Sequence, residues 1–205
     1  MQKSTLSYWL GALAMPGLMF FFVTTLVLQF VRLDLDWVTT PISFYLLGPG
    51  CLWLIAAYFA LGAAILCIGL AFHLSLEPPA QSPLALALFA VGAVSVCVVA
   101  VSHTDTHAAP GPTLHGIVHN LAALIAFLTV SLGMLLRSWA FRADARWRPH
   151  FPKAFGLASL AFVALLLYGL WSALPRGAAQ KFVILLIVLW LMLASRWLTR
   201  QAPKP

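Results

Sequence analysis

Six apolar stretches, each long enough to cross a lipid bilayer, make up most of this sequence. A membrane-spanning helix needs about 20 mainly apolar residues, because the hydrocarbon core of a bilayer is about 30 Å thick. Lys, Arg, Asp and Glu lie between these stretches or in their terminal turns. The predicted spans are 9–31, 49–74, 83–101, 114–136, 154–174 and 179–198. The sequence therefore predicts an all-α fold, a polytopic transmembrane bundle of six helices with short loops, in a single domain that covers 1–205.

The composition excludes a water-soluble fold. Hydrophobic residues make up 62% of the chain and charged residues only 8%, whereas soluble domains carry about 25% charged residues. The formal net charge is +7, but the basic residues stand at the ends of apolar stretches. This distribution is an orientation signal of membrane proteins, so we expect membrane lipid and no nucleic acid as a partner.

Positive charge is unequally divided between the two sides of the predicted bundle. If the N-terminus is cytoplasmic, that side holds nine of the 12 basic residues: Lys3, Arg137, Arg142, Arg146, Arg148, Lys153, Arg196, Arg200 and Lys204. The other side holds Arg32, Arg176 and Lys181. Short cytoplasmic loops carry an excess of Lys and Arg. The sequence therefore predicts a multi-pass protein of the cell inner (cytoplasmic) membrane with both termini cytoplasmic.

The residues best suited to chemistry are concentrated in the stretch 102–120, SHTDTHAAPGPTLHGIVHN, which holds four of the six histidines. His115 and His119 are four positions apart at the start of a predicted helix, so they share one face and can bind one metal ion. His103 and Asp105 can reach the same outer rim. The pattern predicts zinc or another divalent metal on His103, His115 and His119, with Asp105 as a catalytic base. The alternative is that these histidines only form hydrogen bonds at the interface.

Other polar residues accompany this stretch on the predicted outer side. Thr113 is expected to cap the fourth span, and His107 is expected to be a solvated loop residue. In the first outer loop a short helix is predicted to begin at Thr40, followed by Pro41. Ser43 is a candidate catalytic residue, as a nucleophile or as a hydrogen-bond donor to a substrate oxygen, although a local role at the helix start is the simpler interpretation. We also expect Lys181 to form an ion pair with Asp105.

Three motifs resemble a known family. They are PISFYLLGPG after an acidic outer loop, an Asp-containing loop that ends in TLHGIVH, and GAAQKF at the start of the last span. With these motifs the chain resembles the bacterial six-span membrane proteins of domain of unknown function 998. The resemblance implies the six-span fold and the positions Ser43, Tyr45, Gly48, Asp105, His115, His119 and Lys181, but no activity. The family usually has an acidic residue at the position of Phe44 and Arg at the position of Lys181, and the missing carboxylate weakens any scheme in which position 44 is catalytic.

Four classes of function fit these residues. The first is a metal-dependent hydrolase or transferase that acts on a lipid-like substrate, since the same residue types occur, on seven spans and with other spacings, in the membrane hydrolases that include alkaline ceramidases. Tyr45 and Lys181 are further possible site residues. The alternatives are a small-molecule transporter or binder, a non-catalytic membrane partner subunit, and a redox protein with one haem between His103 and His115 or His119. Whether the protein is an enzyme is left open by the sequence.

Overall fold

Long helices that run from one end of the bundle to the other form the described part of the protein. The computed structural model describes residues 2–78, 80–105 and 111–201. The helices are α1 (Gln2–Val31), α2 (Cys51–Ser75), α3 (Pro83–Val101), α4 (Leu114–Ala140), α5 (Phe151–Leu170) and α6 (Arg176–Arg200). Three short 3₁₀ helices, Ile42–Leu46, Phe141–Ala143 and Arg148–His150, lie in the connections.

All six α-helices are long and apolar enough to cross a membrane, which confirms the predicted fold class. The protein is a multi-pass membrane protein. The helix ends differ from the predicted spans by a few residues at most ends, and most at the start of α1, which begins at Gln2 instead of residue 9. The difference has a simple cause. Helical hydrogen bonding continues into the polar flanks, whereas the prediction counted only apolar residues.

The helices form a ring. Each helix packs against its neighbours in sequence, and α6 returns to α1. Small polar side chains add hydrogen bonds between helices: Ser7 donates to the carbonyl of Ala71 over 3.1 Å, and Ser195 donates to the carbonyl of Gly11 over 2.8 Å. Serine hydroxyls serve this purpose in membrane bundles because small side chains let helix backbones approach closely.

The two ends of the bundle differ in the residues that their loops carry. We call the end with the connections 32–50, 102–113 and 171–175 the histidine end, because His103 lies there and His115 and His119 begin α4 beside it. We call the opposite end, with the connections 76–82 and 141–150, the arginine end. Because consecutive helices run in opposite directions, three of the five connections lie at the histidine end. The three family motifs are therefore close together at this end.

At the arginine end, two buried side chains bind loop backbone. Arg137 is completely buried, and its guanidinium donates long hydrogen bonds to the carbonyls of Ala80 and Ser82, at 3.5 and 3.4 Å. The Asp144 carboxylate is also buried and accepts the backbone N–H of Glu77 over 3.3 Å. These contacts join the α2–α3 and α4–α5 connections, and cavities of about 430 and 560 Å³ still open at this end.

Candidate functional site

The connection between α1 and α2 folds back onto the start of α6. The backbone N–H of Ala178 donates to the carbonyl of Val38 over 2.8 Å. The ammonium of Lys181 donates to the carbonyls of Trp37 and Thr40 over 2.6 and 2.8 Å. Hydrogen bonds from a charged donor are about twice as strong as neutral ones. The first turns of α6 therefore hold this connection, which we call the docked loop (residues 32–50), in place.

Two further contacts explain the GAAQK sequence at the start of α6. The side-chain oxygen of Gln180 accepts the backbone N–H of Ile42 over 2.8 Å. A Cβ atom added to Gly177 would lie 2.5 to 2.8 Å from backbone atoms of Thr40, so only glycine fits. Residues 177–181 thus form a docking segment in which each contact depends on the loop lying directly against the helix.

The predicted ion pair between Lys181 and Asp105 does not form. Lys181 is bonded to carbonyl groups of the docked loop, and Asp105 is bonded to Thr113. The ion pairs within the described residues are Arg32–Asp34, Arg146–Glu77 and Arg146–Asp144. A lysine at this position can satisfy its charge with carbonyl oxygens, and the carboxylate that acts on it electrostatically is Asp36, not Asp105.

The docked loop carries Ser43 and Tyr45 on one short helix. The helix predicted to begin at Thr40 is a 3₁₀ helix, Ile42–Leu46, and its capping residue is Pro41, without a side-chain cap. Tyr45 is completely buried, and burial raises the pKa of its hydroxyl. Its ring lies 5.4 Å from the Lys181 ammonium. The Tyr45 side chain therefore packs into the hydrophobic core, whereas Ser43 is only half-buried.

Arg32 secures the other end of the docked loop. Its guanidinium donates to both carboxylate oxygens of Asp34, over 2.8 and 2.7 Å, and to the carbonyl of Leu47. The bonds from Arg32 lower the pKa of the Asp34 carboxyl. Gly48 and Gly50 follow with φ of 80° and 83°, a backbone conformation that favours glycine. The helical path is therefore broken at these glycines, and α2 begins directly after them.

Asp105 closes the connection between α3 and α4. Its carboxylate accepts the backbone N–H of Thr113 over 3.1 Å and also the Thr113 hydroxyl. The Thr113 hydroxyl oxygen in turn accepts the N–H of Gly116 over 3.1 Å, so the predicted cap of α4 is confirmed. A Cβ atom at Gly116 would lie 2.0 Å from the carboxylate. The spacing of Asp105, Thr113 and Gly116 is thus explained by one clasp at the start of α4.

This clasp also determines the charge of Asp105. The pKa of its carboxyl is lowered, first by the hydrogen bonds from Thr113 and further by the nearby His119. A carboxylate at a helix N-terminus is also favoured by the helix dipole. Asp105 therefore places a negative charge beside His119 at neutral pH.

His119 is buried, with 3% of its surface exposed. Its Nδ1 lies 2.7 Å from the carbonyl oxygen of Ser102. A carbonyl oxygen can only accept a hydrogen bond, so Nδ1 carries the hydrogen. In the neutral ring Nε2 then has the lone pair, which can take a proton or bind a metal. The contact with Ser102 thus orients the ring and selects the tautomer.

His103 and His115 lie outside the bundle interior. Both are exposed, and their rings lie edge to face with centroids 6.0 Å apart. Within residues 2–78, 80–105 and 111–201 no group of three His, Cys, Asp or Glu side chains is arranged to hold a metal ion. The metal site on His103, His115 and His119 therefore stays a prediction, and His107 lies outside the described residues.

A cavity of about 780 Å³ lies between α4, α5, the start of α6 and the docked loop. Sites for small molecules commonly measure about 300–1,000 Å³. Ser43, Gln180 and His119 line the cavity, and Leu124 of α4 and Leu166 of α5 are both part of its wall and exposed at the bundle surface. The cavity is therefore open sideways, between α4 and α5.

A second, smaller cavity of about 70 Å³ continues the first toward the bundle interior. Ser43, His119 and Gln180 line both cavities. The wall of the inner cavity is otherwise almost entirely apolar, with Phe21 and Tyr58 on the far side. The three shared polar side chains thus stand where a polar group at the end of an apolar molecule would come to rest.

A family model described as protein of unknown function (DUF998) matches residues 15–197. The chain belongs to the DUF998 family. No curated protein and no solved structure is a significant match to the chain. The matched range runs from within α1 to near the end of α6 of this DUF998 protein, so the docked loop, the clasp on α4 and the cavity all lie inside the matched region.

The residues predicted as a site separate into three groups in this DUF998 protein. Ser43 and His119 share the cavity, and Asp105 lies beside His119. His103 and His115 are exposed. Tyr45 and Lys181 lie in the contact between the docked loop and α6 and do not line the large cavity.

Sequence reasoning missed several residues that line the cavity. Gln180 stands next to Lys181 in the motif, but an uncharged residue gives no signal of its own. Arg176 and Tyr168 lie on either side of the α5–α6 turn, and Arg176 was counted only as a basic residue for orientation. Both residues line the cavity because of the way α5 and α6 pack against each other. This packing cannot be predicted from a single sequence.

Proposed function

We propose that this protein is a membrane-embedded hydrolase or transferase that acts on an acyl bond of a lipid-like substrate at the histidine end. The observation that carries the proposal is His119. This buried imidazole has its Nδ1–H bonded to a carbonyl, and it lines a side-opening cavity together with the hydroxyl of Ser43. A general base needs such an oriented ring with a free lone pair.

The chemistry divides between two side chains. Nε2 of His119 takes a proton from a water molecule as the water oxygen attacks the acyl carbon. The Ser43 hydroxyl donates a hydrogen bond to the carbonyl oxygen as negative charge forms on it. When the intermediate collapses, the imidazolium returns the proton to the leaving oxygen, so a carboxylic acid and an alcohol are released. If an alcohol replaces the water, the same steps transfer the acyl group.

Asp105 supports this scheme through charge. Because its carboxylate lies beside His119, it stabilises the imidazolium that forms when the ring takes a proton. The metal-assisted version remains a second form of the same proposal. In that version Nε2 of His119, with His103 and His115, would hold a divalent ion that lowers the pKa of the attacking water.

Orientation in the membrane follows from charge. Arg142, Arg146, Arg148 and Lys153 lie around the α4–α5 connection at the arginine end, so we infer that this end is cytoplasmic in the inner membrane. The cavity then faces the outer side.

A cysteine at position 115 in a cysteine-free chain should react with a membrane-impermeant maleimide in intact cells, and a cysteine at position 148 should not. The reverse pattern would invert the orientation.

The decisive experiment measures hydrolysis by purified protein in liposomes made of phospholipids and acylglycerols, with products identified by mass spectrometry. We expect His119→Ala to lower the rate about 100-fold or more and Ser43→Ala by about 100-fold. If His119 acts as the base alone, His115→Ala, one helical turn away and exposed, should stay within about threefold of the original protein. Full activity of His119→Ala would refute the proposal.

Metal analysis of the same preparation separates the two forms of the mechanism. One zinc per chain, together with a His115→Ala variant as inactive as His119→Ala, would assign the metal-assisted form. Activity that survives a chelator and the His115→Ala change would assign the form in which His119 acts as the base alone.

A binder or transporter of lipid-like molecules is the second candidate. The side opening of the cavity between α4 and α5 favours it, because a molecule can reach the cavity from the bilayer without crossing water. Transfer of a labelled lipid between the leaflets of protein-containing liposomes, unchanged in His119→Ala, would select this function over the enzyme.

A further inference from the structure

The large cavity has one permanently charged side chain in its wall. Among the described residues that line it, Arg176 is the only Lys or Arg, and Asp and Glu are absent. Arg176 is exposed at the first position of α6. It forms no ion pair with any described residue. The wall therefore has a net positive charge and attracts an anion.

The Arg176 guanidinium is held in a defined place. It lies over the ring of Tyr168 with a distance of 3.9 Å to the ring centroid, and one of its nitrogen atoms donates to the carbonyl of Tyr168. A guanidinium stacked on an aromatic ring keeps other N–H groups available in its plane. A flat fork of donors matches the oxygen atoms of a phosphate group and binds them in pairs.

Neutral polar groups add to this rim. Thr39 of the docked loop lines the same cavity, but its hydroxyl donates to the Asp36 carboxylate over 2.7 Å. Thr40 of the docked loop and Asn120 of α4 also line the cavity. They supply neutral donors that suit the remaining oxygens of a phosphate or the hydroxyl groups of a head group. The rim therefore offers a cation and two neutral donors, and the described residues that line it include no carboxylate.

The rest of the wall is apolar and runs along the helix. Leu124, Phe127 and Leu128 line the cavity on α4, below His119. At about 1.5 Å per residue, the wall from His119 to Leu128 is about 13.5 Å long. On α5 the opposite wall is made of Leu165 and Leu166, and a Cβ atom at Gly169 would meet nothing within 4 Å. The gap between α4 and α5 thus has the shape and polarity of a site for an acyl chain.

We propose that this cavity binds a phosphate-headed anionic lipid from the surrounding bilayer, with the phosphate on Arg176 and one acyl chain between α4 and α5. The proposal rests on the proposed function and names its substrate class. In this position the ester linkage between phosphate and chain lies at the level of His119 and Ser43. The acyl bond is then within the part of the cavity that both residues line.

The test uses phosphatidylglycerol with a photoactivatable diazirine in one acyl chain, in nanodiscs of phosphatidylcholine that contain the full chain. After irradiation, cross-linked peptides are mapped by mass spectrometry. We expect cross-links on Phe127, Leu128 and Leu166. Arg176→Gln should lower their yield at least about tenfold, the loss expected when a charge-assisted hydrogen bond is removed, and Arg176→Lys should give an intermediate yield.

The chain offers a matched control at the opposite end. Arg142 lies over the ring of Trp139 at 4.1 Å from the centroid, in the same arrangement as Arg176 on Tyr168, so Arg142→Gln should leave the cavity cross-links unchanged. Free phosphate should not compete, because the site requires the chain as well as the head group. Equal cross-linking of phosphatidylcholine, competition by free phosphate, or an unchanged yield in Arg176→Gln would overturn the proposal.

The same experiment on His119→Ala separates this inference from the proposed function. Cross-links that persist in His119→Ala, together with an absence of hydrolysis by the original protein, would keep the lipid site and remove the enzyme. Hydrolysis that depends on His119 but not on Arg176 would keep the enzyme and remove the lipid site.

Discussion

The contact between Gly177 and the docked loop allows a prediction about stability. Replacing Gly177 with alanine should destabilise the protein, whereas the same replacement at Gly156 should stabilise it slightly. In Gly177→Ala the new Cβ atom would lie 2.5, 2.7 and 2.8 Å from the O, N and C atoms of Thr40. Carbon atoms at rest are about 3.5–4.0 Å apart, so the loop has to move by roughly 0.7–1 Å. The neighbouring atoms are backbone and cannot rotate away, so the whole docked loop is displaced.

The displacement breaks the hydrogen bonds that hold the loop. A shift of about 1 Å lengthens the 2.8 Å bond from Ala178 to Val38 and the 2.6 and 2.8 Å bonds from Lys181 beyond bonding distance. A neutral bond contributes about 0.5–1.5 kcal/mol and a bond from a charged group about 1.5–3 kcal/mol. Because Lys181 is partly exposed and water replaces some of its bonds, we expect a loss of about 2–4 kcal/mol in the free energy of unfolding.

Gly156→Ala provides the control. Gly156 is an exposed position inside α5, and a Cβ atom there would meet nothing within 4 Å. Alanine in a helix is favoured over glycine by about 0.5–1 kcal/mol, so this variant should be slightly more stable. In thermal unfolding in detergent, about 1 kcal/mol corresponds to about 2–4 °C for a chain of this size. Gly177→Ala should therefore unfold roughly 5–15 °C lower, and Gly156→Ala slightly higher. A Gly177→Ala protein as stable as Gly156→Ala would show that the loop does not lie against α6.

Two further predictions concern the loops. Thr113→Val removes the cap of α4 and the partner of Asp105, and should lower the free energy of unfolding by about 1–2 kcal/mol. Hydrogen exchange at the Gly116 amide should become faster, with no change at the arginine end. Unchanged exchange at Gly116 would refute the clasp. The pKa of Asp34 is lowered from its ordinary value of 3.8, so the folded state binds fewer protons than the unfolded state and this contribution is present above about pH 4. It is lost as pH falls through the lowered pKa, so the unfolding temperature of Asp34→Asn should fall less between pH 5 and pH 3 than that of the original protein; equal slopes would contradict the bond to Arg32.

The helices could be predicted because hydropathy is a local property. Each span has enough consecutive apolar residues to be predicted without any information about the helices that pack against it. The cap at Thr113 is also predicted from residues adjacent to it in the sequence. The family motifs also indicated Asp105 and Lys181, whose hydrogen bonds hold the two loops. The histidine pair shows the limit of this reasoning: His115 and His119 share one helix face by spacing, but only His119 turns into the bundle.

The partners of the motif residues depend on long-range packing and could not be read from the sequence. Lys181 and Asp105 have opposite charges and lie at the same end, which made an ion pair the simplest expectation. In the structure, carbonyl groups of the docked loop bind Lys181, and the backbone N–H and the hydroxyl of Thr113 bind Asp105. A single sequence shows which side chains carry charge, but not which backbone groups will be oriented toward them.

The candidate site is assembled from two parts that are anchored separately. Ser43 belongs to the docked loop, which is fastened to α6, and His119 belongs to α4, which is fastened by the Asp105 clasp. The anchor of Ser43 consists of a few hydrogen bonds at the end of the bundle, whereas α4, which carries His119, packs along its full length. Segments held by few contacts open at lower cost than the core. Mild heating should therefore separate the two parts of the candidate site, and abolish the proposed hydrolysis, at temperatures at which the helical content of the protein is still complete.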